Sequence, residues 1–235
     1  MQVIELTNKI PNTPFAPTWS CILLEYDNLL IDQDILLFKS FILDYEHQII
    51  DSSENDYNTY NNNYDIVFDG GTGLGPNSLT SRSPFYNLLK VDIPVIQQIK
   101  SNIHDIYLKY LELLNIPRRE VWIQSWANIM RNGEIMSEHI HASHENTWIG
   151  GHITISCENT STFYKAPVRL TDDQIYESQN KPGKLTLFPD CVPHWTSTHT
   201  GEQERISIAF DIITRERFTE LTPDRQQMYM KFDNE

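Results

Sequence analysis

Cysteine is scarce in this chain of 235 residues, which contains only Cys21, Cys157 and Cys191 and has no C-x-x-C spacing. An odd number of cysteines without paired spacing argues against a disulfide framework and against a thiolate zinc site. The same scarcity favours a reducing compartment, so we expect a cytoplasmic protein.

Positive charge is also in short supply, because 18 Lys and Arg residues stand against 32 Asp and Glu residues, and the formal net charge is −14. Affinity for nucleic acid depends on clustered basic residues, so this composition argues against a broad nucleic-acid-binding surface. No apolar stretch approaches the ~18 residues of a membrane span, and the first residues lack the pattern of a secretory signal. We therefore expect a soluble, unprocessed protein with no membrane partner.

The length suits one domain with a sizeable core, so we predict a single domain over residues 1–235. The hydrophobic pattern divides this domain into three parts. Residues 1–118 are predicted to be a helical and loop-rich part that packs on a β core at 119–213. Residues 214–235 are predicted to be a C-terminal tail.

Apolar residues recur at helical spacing in two segments of the N-terminal part. The first pattern predicts an amphipathic helix over residues 34–48. The second predicts a longer helix over 94–114, where Pro94 occupies the first turn, the position in which a helix tolerates proline. Both helices are expected to pack on the β core.

Two further N-terminal segments are rich in polar and small residues and are predicted to be loops, at 52–64 and at 69–83. The second contains Gly71, Gly73 and Gly75, a spacing that resembles a phosphate-binding loop. Such a loop needs a strand before it and a helix after it, and neither pattern is present at the required spacing. We therefore do not interpret these glycines as a phosphate site.

From residue 121 onward the hydrophobic period changes to two, which indicates β-strands. In the first strand Gln124, Trp126 and Asn128 share one face, and this face either lines a cavity or packs in the core. Short strands after a helical part predict a mainly β, α+β fold, a sandwich or barrel buttressed by helices. Strands are predicted at 121–130, 135–141, 149–156, 161–166, 184–188, 193–198 and 204–212.

Two histidines stand two residues apart, at His139 and His141. Alternate side chains of an extended segment share a face, so both imidazoles can reach one metal ion, while Glu138 points away. His194, which follows a proline-containing turn, offers a third imidazole from a distant strand. His199 is interpreted as a solvated loop residue.

Arg205 shares one face of a predicted strand with Ser207 and Ala209, and the opposite face is aliphatic. If the aliphatic face meets the helices, the guanidinium points into the barrel, where an unpaired buried cation is costly. A bound carboxylate, with a further hydrogen bond from Ser207, would satisfy it. A structural ion pair with Asp211 or Glu204 is the alternative.

The order of these motifs, with H-x-H at 139–141, then His194, then Arg205-x-Ser207 eleven residues later, resembles the Fe(II)/2-oxoglutarate-dependent oxygenases. The members that it resembles are the prolyl-hydroxylase-like proteins common in tailed-phage and bacterial genomes. It covers residues 120–212 well and 72–82 more loosely. The resemblance implies a double-stranded β-helix, a jelly roll of the cupin-like kind, that holds Fe(II).

The resemblance also implies an activity and a set of ligands. Arg205 and Ser207 would bind the far carboxylate of the cosubstrate 2-oxoglutarate, and Asn128 would contact the same molecule. With O2, such an enzyme hydroxylates a substrate, and the prolyl-hydroxylase likeness favours a peptide or protein side chain.

One departure concerns His141, because the wider superfamily has Asp or Glu two residues after the first histidine. Three arrangements are open: a centre of three histidines, a centre of two histidines with His141 serving the substrate, or recruitment of Glu145 as the carboxylate ligand. We favour His139, His141 and His194 as the metal ligands.

A second resemblance leads to a different function. The spacing of Gly133, the H-x-H pair, Glu145 and Gly151 is similar to the first cupin motif, in which the glutamate is a metal ligand. On this interpretation the protein is a cupin-type metalloprotein or a non-catalytic metal- or ligand-binding module. Cys191 then stands where the second cupin motif has glycine, and a cupin has no particular need for Arg205.

Overall fold

The computed structural model describes residues 1–7, 10–167 and 174–233. Within these residues the strands are β1 (Gln2–Thr7), β2 (Ser20–Tyr26), β3 (Val121–Met130), β4 (Ile149–Ser156), β5 (Ser161–Lys165), β6 (Ile175–Gln179), β7 (Leu185–Pro189), β8 (His194–Thr196), β9 (Arg205–Thr214) and β10 (Met230–Asp233). The α-helices are α1 (Asp32–Tyr64), α2 (Pro94–Leu113), α3 (Arg215–Glu220) and α4 (Pro223–Met228), and two 3₁₀ helices cover Thr80–Phe85 and Leu88–Lys90.

These strands form two antiparallel sheets. The larger sheet has the order β1-β2-β7-β4-β9-β3-β10, and the smaller sheet has the order β6-β5-β8. A single backbone bridge between His139 and His194 adds the segment before β4 to the free side of β8. One cavity is lined by residues of β3, β4 and β9 from the larger sheet and of β5 and β8 from the smaller sheet, so the two sheets face each other.

The two faces of the larger sheet differ in chemistry because side chains alternate along each strand. On β9, Ile206, Ile208 and Phe210 belong to one apolar cluster with Ile99 and Ile103 of α2. The other face of β9 turns toward the space between the sheets. The helices therefore cover the outer face of the larger sheet and leave the inner face free for polar side chains.

Helix α2 lies where the sequence predicted it, but α1 is twice as long as predicted and runs through the proposed loop at 52–64. The polar stretch stays helical because tertiary contacts hold it. The Tyr57 hydroxyl donates a hydrogen bond to the backbone carbonyl of Phe68 at 2.8 Å, and Tyr57 and Tyr60 pack edge-on against Phe85. None of the helices in the described ranges combines the length and apolarity needed to cross a bilayer.

The predicted strand at 135–141 is also wrong as a regular element. The segment forms an isolated bridge at His139, and the Met136 carbonyl accepts from the backbone N–H of Thr196, but no continuous ladder forms. The backbone N–H of His141 donates instead to the carbonyl of Asp190, at 2.9 Å. The strand pattern detected the extended backbone but not the lack of a continuous partner.

Four strands were not predicted: β1, β2, β6 and β10. Strands β1 and β2 extend the larger sheet at one edge, and β10 pairs with β3 at the other. The segments expected to be a helical N-terminal part and a tail therefore both add strands to the same sheet as the β core. Their pairing depends on distant partners, which a local hydrophobic period does not report.

The packing of α2 can be tested with two leucines on the same helix, one buried and one half-exposed. Leu111 is 1% exposed and Leu113 is 44% exposed. We expect Leu111→Ala to lower the free energy of unfolding by about 2–5 kcal/mol, because it leaves a cavity in the core. Leu113→Ala should lower it by less than about 1 kcal/mol. Urea denaturation measures both, and equal losses would contradict this orientation of the helix.

Candidate metal centre

A cavity of ≈180 Å³ lies between the two sheets. It is lined by Gly70, Thr72, Thr80, Ser83, Trp126, Asn128, Met136, His139, Ile140, His141, Gly151, His152, Thr162, Phe188, His194, Thr196, Arg205, Ser207, Ala209 and Asp211. Every site residue predicted from the sequence is among them: the three histidines, Arg205, Ser207 and Asn128. The tertiary structure thus brings these six residues to one cavity.

The three histidines form a compact group. The ring centroid of His194 lies 4.3 Å from that of His139 and 5.0 Å from that of His141, and the rings of His139 and His141 are 5.8 Å apart. Two backbone hydrogen bonds of 3.0 Å between His139 and His194 fix this arrangement. One potential ligand atom from each residue lies within 4.8 Å of the others, a spacing that suits a single ion.

Each of the three rings has an oxygen acceptor at Nδ1. The acceptors are the carbonyl of Ser137 for His139 at 2.8 Å, the carbonyl of Val192 for His194 at 3.0 Å, and a carboxylate oxygen of Asp211 for His141 at 2.5 Å. A carbonyl oxygen only accepts, so Nδ1 carries the proton and the lone pair of Nε2 remains available. Partners of this kind commonly orient metal-binding histidines.

The pKa values of the histidines follow from burial and from nearby charge. Burial, together with the neighbouring His141, lowers the pKa of His139 to about 4, and burial with the neighbouring histidines lowers that of His194 well below its ordinary value. Burial alone would also lower the pKa of His141, but the charge and hydrogen bond of Asp211 raise it. His139 and His194 are therefore neutral at pH 7, the form that metal binding requires.

A second group of potential ligands shares His141 and adds Asp190 and Asp211. Asp190 is buried, and its Oδ1 has no hydrogen-bond partner among the described residues and lies 4.0 Å from Nδ1 of His141. Burial and the charge of Asp211 raise the pKa of Asp190 well above its ordinary value. Neither aspartate was predicted as a site residue. The alternation along β9 places Asp211 on the face of Arg205 and Ser207, a signal that could have indicated it.

Arg205 is 2% exposed and points into the cavity. Its two terminal nitrogens lie 3.4 Å from the sulfur of Met130 and 3.4 Å from the hydroxyl of Thr162, and its Nε has no partner. Within the part of the chain that the structure describes, no carboxylate pairs with it, so the predicted alternative of an ion pair with Asp211 or Glu204 is not formed. Burial lowers the pKa of this guanidinium to about 10. The cavity thus holds a cation that needs an anion.

Ser207 and Asn128 are cross-strand neighbours on β9 and β3. Both are buried, and the Thr80 hydroxyl donates to the side-chain oxygen of Asn128 at 2.6 Å, which leaves the Asn128 amide group facing the cavity. Of the two alternatives left open for the Gln124 face of β3, Gln124 itself takes the packing one. Its amide donates to the backbone carbonyls of Ser83 and Tyr86, and it lies outside the cavity.

His152 of β4 also lines the cavity and was not predicted. Its Nε2 is 2.5 Å from the Tyr164 hydroxyl. Burial and the charge of Arg205 lower the pKa of His152 to about 3, so this ring is neutral. The predicted strand at 149–156 contained His152, but a lone histidine in a strand is more often a core residue than a site residue, so the sequence did not single it out.

Two other acidic or histidine residues fall outside the centre. Glu145, the alternative carboxylate ligand and the cupin ligand, is exposed and belongs to neither group of potential ligands. The prediction that His199 is solvated is wrong. It is 0% exposed, its Nε2 lies 2.6 Å from the Gln203 carbonyl, and its backbone N–H donates to the carbonyl of Glu134.

The glycine-containing segment at 69–83 forms one wall of the cavity. The carbonyl of Thr72 accepts a hydrogen bond from the backbone N–H of Ser137, which joins this wall to the segment that carries His139. Arg82 anchors the wall to α1, because its guanidinium donates to Glu54 at 2.7 Å and lies 3.5 Å from the ring centroid of Tyr57. The segment encloses the site and is not a phosphate loop.

A further cavity of ≈190 Å³ lies on the other side of His141 and Asp211. Its lining consists of His141, Ala142, His144, Asn146, Asp190, Asp211, Ile213, Arg217, Leu221, Arg225 and Tyr229. The His141 and Asp211 side chains therefore form part of the partition between two spaces.

No protein-family model matches the sequence, and no curated protein matches it. Solved structures do match. A Pseudomonas putida prolyl-4-hydroxylase has a TM-score of 0.51 at 9% identity, over 82% of this chain and 92% of that chain. The non-heme α-ketoglutarate-dependent carbocyclase SnoK from nogalamycin biosynthesis has a TM-score of 0.53 at 8% identity, over 90% and 92%.

AviO1 from Streptomyces viridochromogenes is similar to the same degree, with a TM-score of 0.51 at 9% identity over 82% of this chain and 90% of that chain. Identities this low establish the fold alone. Together with the two facing antiparallel sheets, they confirm the predicted double-stranded β-helix with its helical buttress.

The unpaired state of Arg205 predicts an unusual effect on stability. We expect Arg205→Met to raise the free energy of unfolding of the ligand-free protein by about 1–3 kcal/mol, because it removes a buried cation and keeps the apolar stem. Arg82→Met is the matched control, since Arg82 is 1% exposed but ion-paired. That change should lower the free energy by about 1–3 kcal/mol. Urea denaturation distinguishes them, and a destabilised Arg205→Met would contradict the prediction.

The neutral histidines predict that the metal-free protein loses stability in acid. The folded-state pKa values of His139, His152 and His194 are lowered, so below about pH 6.5 the unfolded chain binds protons that the folded chain does not. Each group then reduces the unfolding free energy by about 1.4 kcal/mol per pH unit. The raised pKa of His141 affects stability at higher pH. The stabilisation that His141 contributes is complete below about pH 6.5 and is lost as the pH rises through the pKa of His141 in the folded protein.

Urea denaturation between pH 6 and pH 5 measures this slope. His152→Gln should make the slope shallower by about 1.4 kcal/mol per pH unit. His47→Gln, at an exposed position on α1, is the matched control. A wild-type stability that is flat over this range would show that the buried histidines are protonated in the fold.

Proposed function

We propose that this protein is an Fe(II)- and 2-oxoglutarate-dependent dioxygenase that hydroxylates its substrate. The observation that carries the proposal is the combination, in one buried cavity, of three imidazoles and a guanidinium. Among the described residues, no group bonds the Nε2 atoms of these imidazoles and no carboxylate pairs with the guanidinium. Imidazoles suit a divalent transition metal and the guanidinium suits a carboxylate. The prolyl-4-hydroxylase and the α-ketoglutarate-dependent carbocyclase with the same fold support this choice among metalloproteins.

The residues that would hold the iron are His139, His141 and His194, each through Nε2. Their Nδ1 hydrogen bonds hold the rings in the tautomer that a metal needs, and burial keeps two of them neutral. The exposed position of Glu145 argues against its recruitment as the carboxylate ligand. Three protein ligands leave coordination positions open toward the cavity, as a catalytic centre requires.

The residues that would hold 2-oxoglutarate are Arg205, Ser207 and Asn128. The guanidinium would bind the far carboxylate and gain the anion that it lacks, with hydrogen bonds from the hydroxyls of Ser207 and Thr162. Asn128, held by Thr80, presents its amide to the same space. When bound, the iron, 2-oxoglutarate and O2 supply an oxidant strong enough to hydroxylate a C–H bond and yield succinate and CO2.

The contribution of the protein itself is position and the exclusion of water. Phe188 and Met136 add apolar surface to the cavity, and the 69–83 segment closes one side. Ile140 is 43% exposed and Trp126 is half-buried, and both line the cavity. These two side chains mark an apolar entrance where substrate would approach. The fold likeness to a prolyl-4-hydroxylase supports a peptide or protein side chain as that substrate.

An anaerobic titration of the apoprotein with Fe(II) and then 2-oxoglutarate tests the proposal. We expect the visible charge-transfer band of chelated 2-oxoglutarate in the wild type, and a cosubstrate affinity at least ~10-fold weaker in Arg205→Met, because a charge-assisted hydrogen-bonded pair is lost. Arg217→Met is the control and should behave as wild type, because Arg217 does not line the cavity that holds Arg205 and the three histidines.

A wild-type protein that binds metal through its histidines but shows no band, and consumes no 2-oxoglutarate in air, would be a metal-binding module and not an oxygenase.

A further inference from the structure

The charge balance of the cavity identifies one residue whose role the proposed function leaves open. Three neutral imidazoles would leave a bound divalent ion with its full charge, and Arg205 adds a further buried positive charge. Among the residues that line this cavity, Asp211 alone carries a carboxylate. Asp211 is therefore the residue of this cavity whose negative charge can reduce the electrostatic cost of two buried cations.

Asp211 does not belong to the group of ligand atoms formed by His139, His141 and His194, and its carboxylate contacts His141 at Nδ1. The Oδ1 to Nδ1 distance is 2.5 Å, whereas Nδ1 of His139 and of His194 each meets a neutral carbonyl. A hydrogen bond from an imidazole N–H to a carboxylate moves electron density to the opposite ring nitrogen and makes it a stronger ligand. His141 is thus the one ring of the three with a charged partner.

The backbone around this pair is shaped to accommodate it. Asp211 lies on β9, between Gln124 of β3 and Gly150 of β4, and so its position is fixed from both sides. A Cβ at Gly150 would lie 2.8 Å from Nδ1 of His141 and 2.7 Å from Oδ1 of Asp190. Any side chain at position 150 would therefore push against the His141 ring and against Asp190. The absence of one leaves room for the hydrogen bond.

We infer that Asp211 is a positioning residue that supplies, through His141, the negative charge that a carboxylate ligand would otherwise supply to the metal directly. The inference rests on the proposed metal centre but not on the identity of the cosubstrate. Asp190 does not serve in the same way, because its nearest oxygen is 4.0 Å from the ring nitrogen, beyond hydrogen-bond distance.

Titration of the metal-free protein with Co(II), in the absence of 2-oxoglutarate, tests this role. Asp211→Asn keeps the shape and removes the charge, so we expect about 10- to 100-fold weaker Co(II) binding. Asp224→Asn makes the same chemical change at an exposed position of α4 and should bind Co(II) as wild type does. X-ray absorption spectra of the Co(II) forms should show three imidazoles in both the wild type and Asp211→Asn.

Two results would overturn the inference. Unchanged affinity in Asp211→Asn would mean that the carboxylate does not act on the metal. Weaker binding with the loss of an oxygen ligand from the spectrum would make Asp211 a direct ligand. If Asp211→Asn does not fold, as judged by its thermal unfolding, Asp211→Ser takes its place with the same expectations.

The failure of this inference differs from the failure of the oxygenase proposal. A protein in which Asp211→Asn weakens Co(II) binding but the wild type forms no 2-oxoglutarate band would keep the positioning role and lose the oxygenase activity. A 2-oxoglutarate band in the wild type together with unchanged Co(II) affinity in Asp211→Asn would support the oxygenase proposal and remove the positioning role of Asp211. A wild type that binds no Co(II) overturns both.

Discussion

Strand β9 lies between β4 and β3 near the middle of the larger sheet, and its two faces serve opposite purposes. Ile206, Ile208 and Phe210 pack under the helices, and this packing directs the alternate residues into the cavity. Because the side-chain period of a strand is two, a register shift by one residue would bury Arg205 in the apolar core. The hydrophobic contact of one face therefore determines the chemistry of the other.

The polar face is organised around charge that the protein does not neutralise by itself. Arg205 is buried with only a sulfur and a hydroxyl as partners, and burial holds His139 and His194 in the neutral form. The unpaired guanidinium reduces the stability of the ligand-free fold, and the neutral histidines reduce it in acid, a trade-off that is common at functional sites. An anion at the guanidinium and a cation at the imidazoles would offset these costs together. We therefore interpret Arg205 and the three histidines as parts of one site.

The cavity wall shows how a remote segment contributes to the site. The polar half of α1 is helical because Tyr57 and Tyr60 pack on the following loop, and Arg82 ties that loop to Glu54. The loop in turn carries Thr80, which orients Asn128. These contacts connect α1 to Asn128 in the cavity. They are made by polar and aromatic side chains outside any regular apolar pattern, so the hydrophobic period of the sequence did not reveal them.

The sequence by itself was enough to predict the helix α2 and most strands from residue 121 onward. It also singled out the H-x-H pair, His194, Arg205 and Ser207, which line one cavity. These rest on local spacing, since periods of two and 3.6 state which residues share a face. Only the tertiary structure decided the length of α1, the outer strands β1, β2 and β10, and the position of Asp211 beside His141. These depend on partners far away in the chain, and a carboxylate reveals its purpose only when folding brings an imidazole within hydrogen-bond distance.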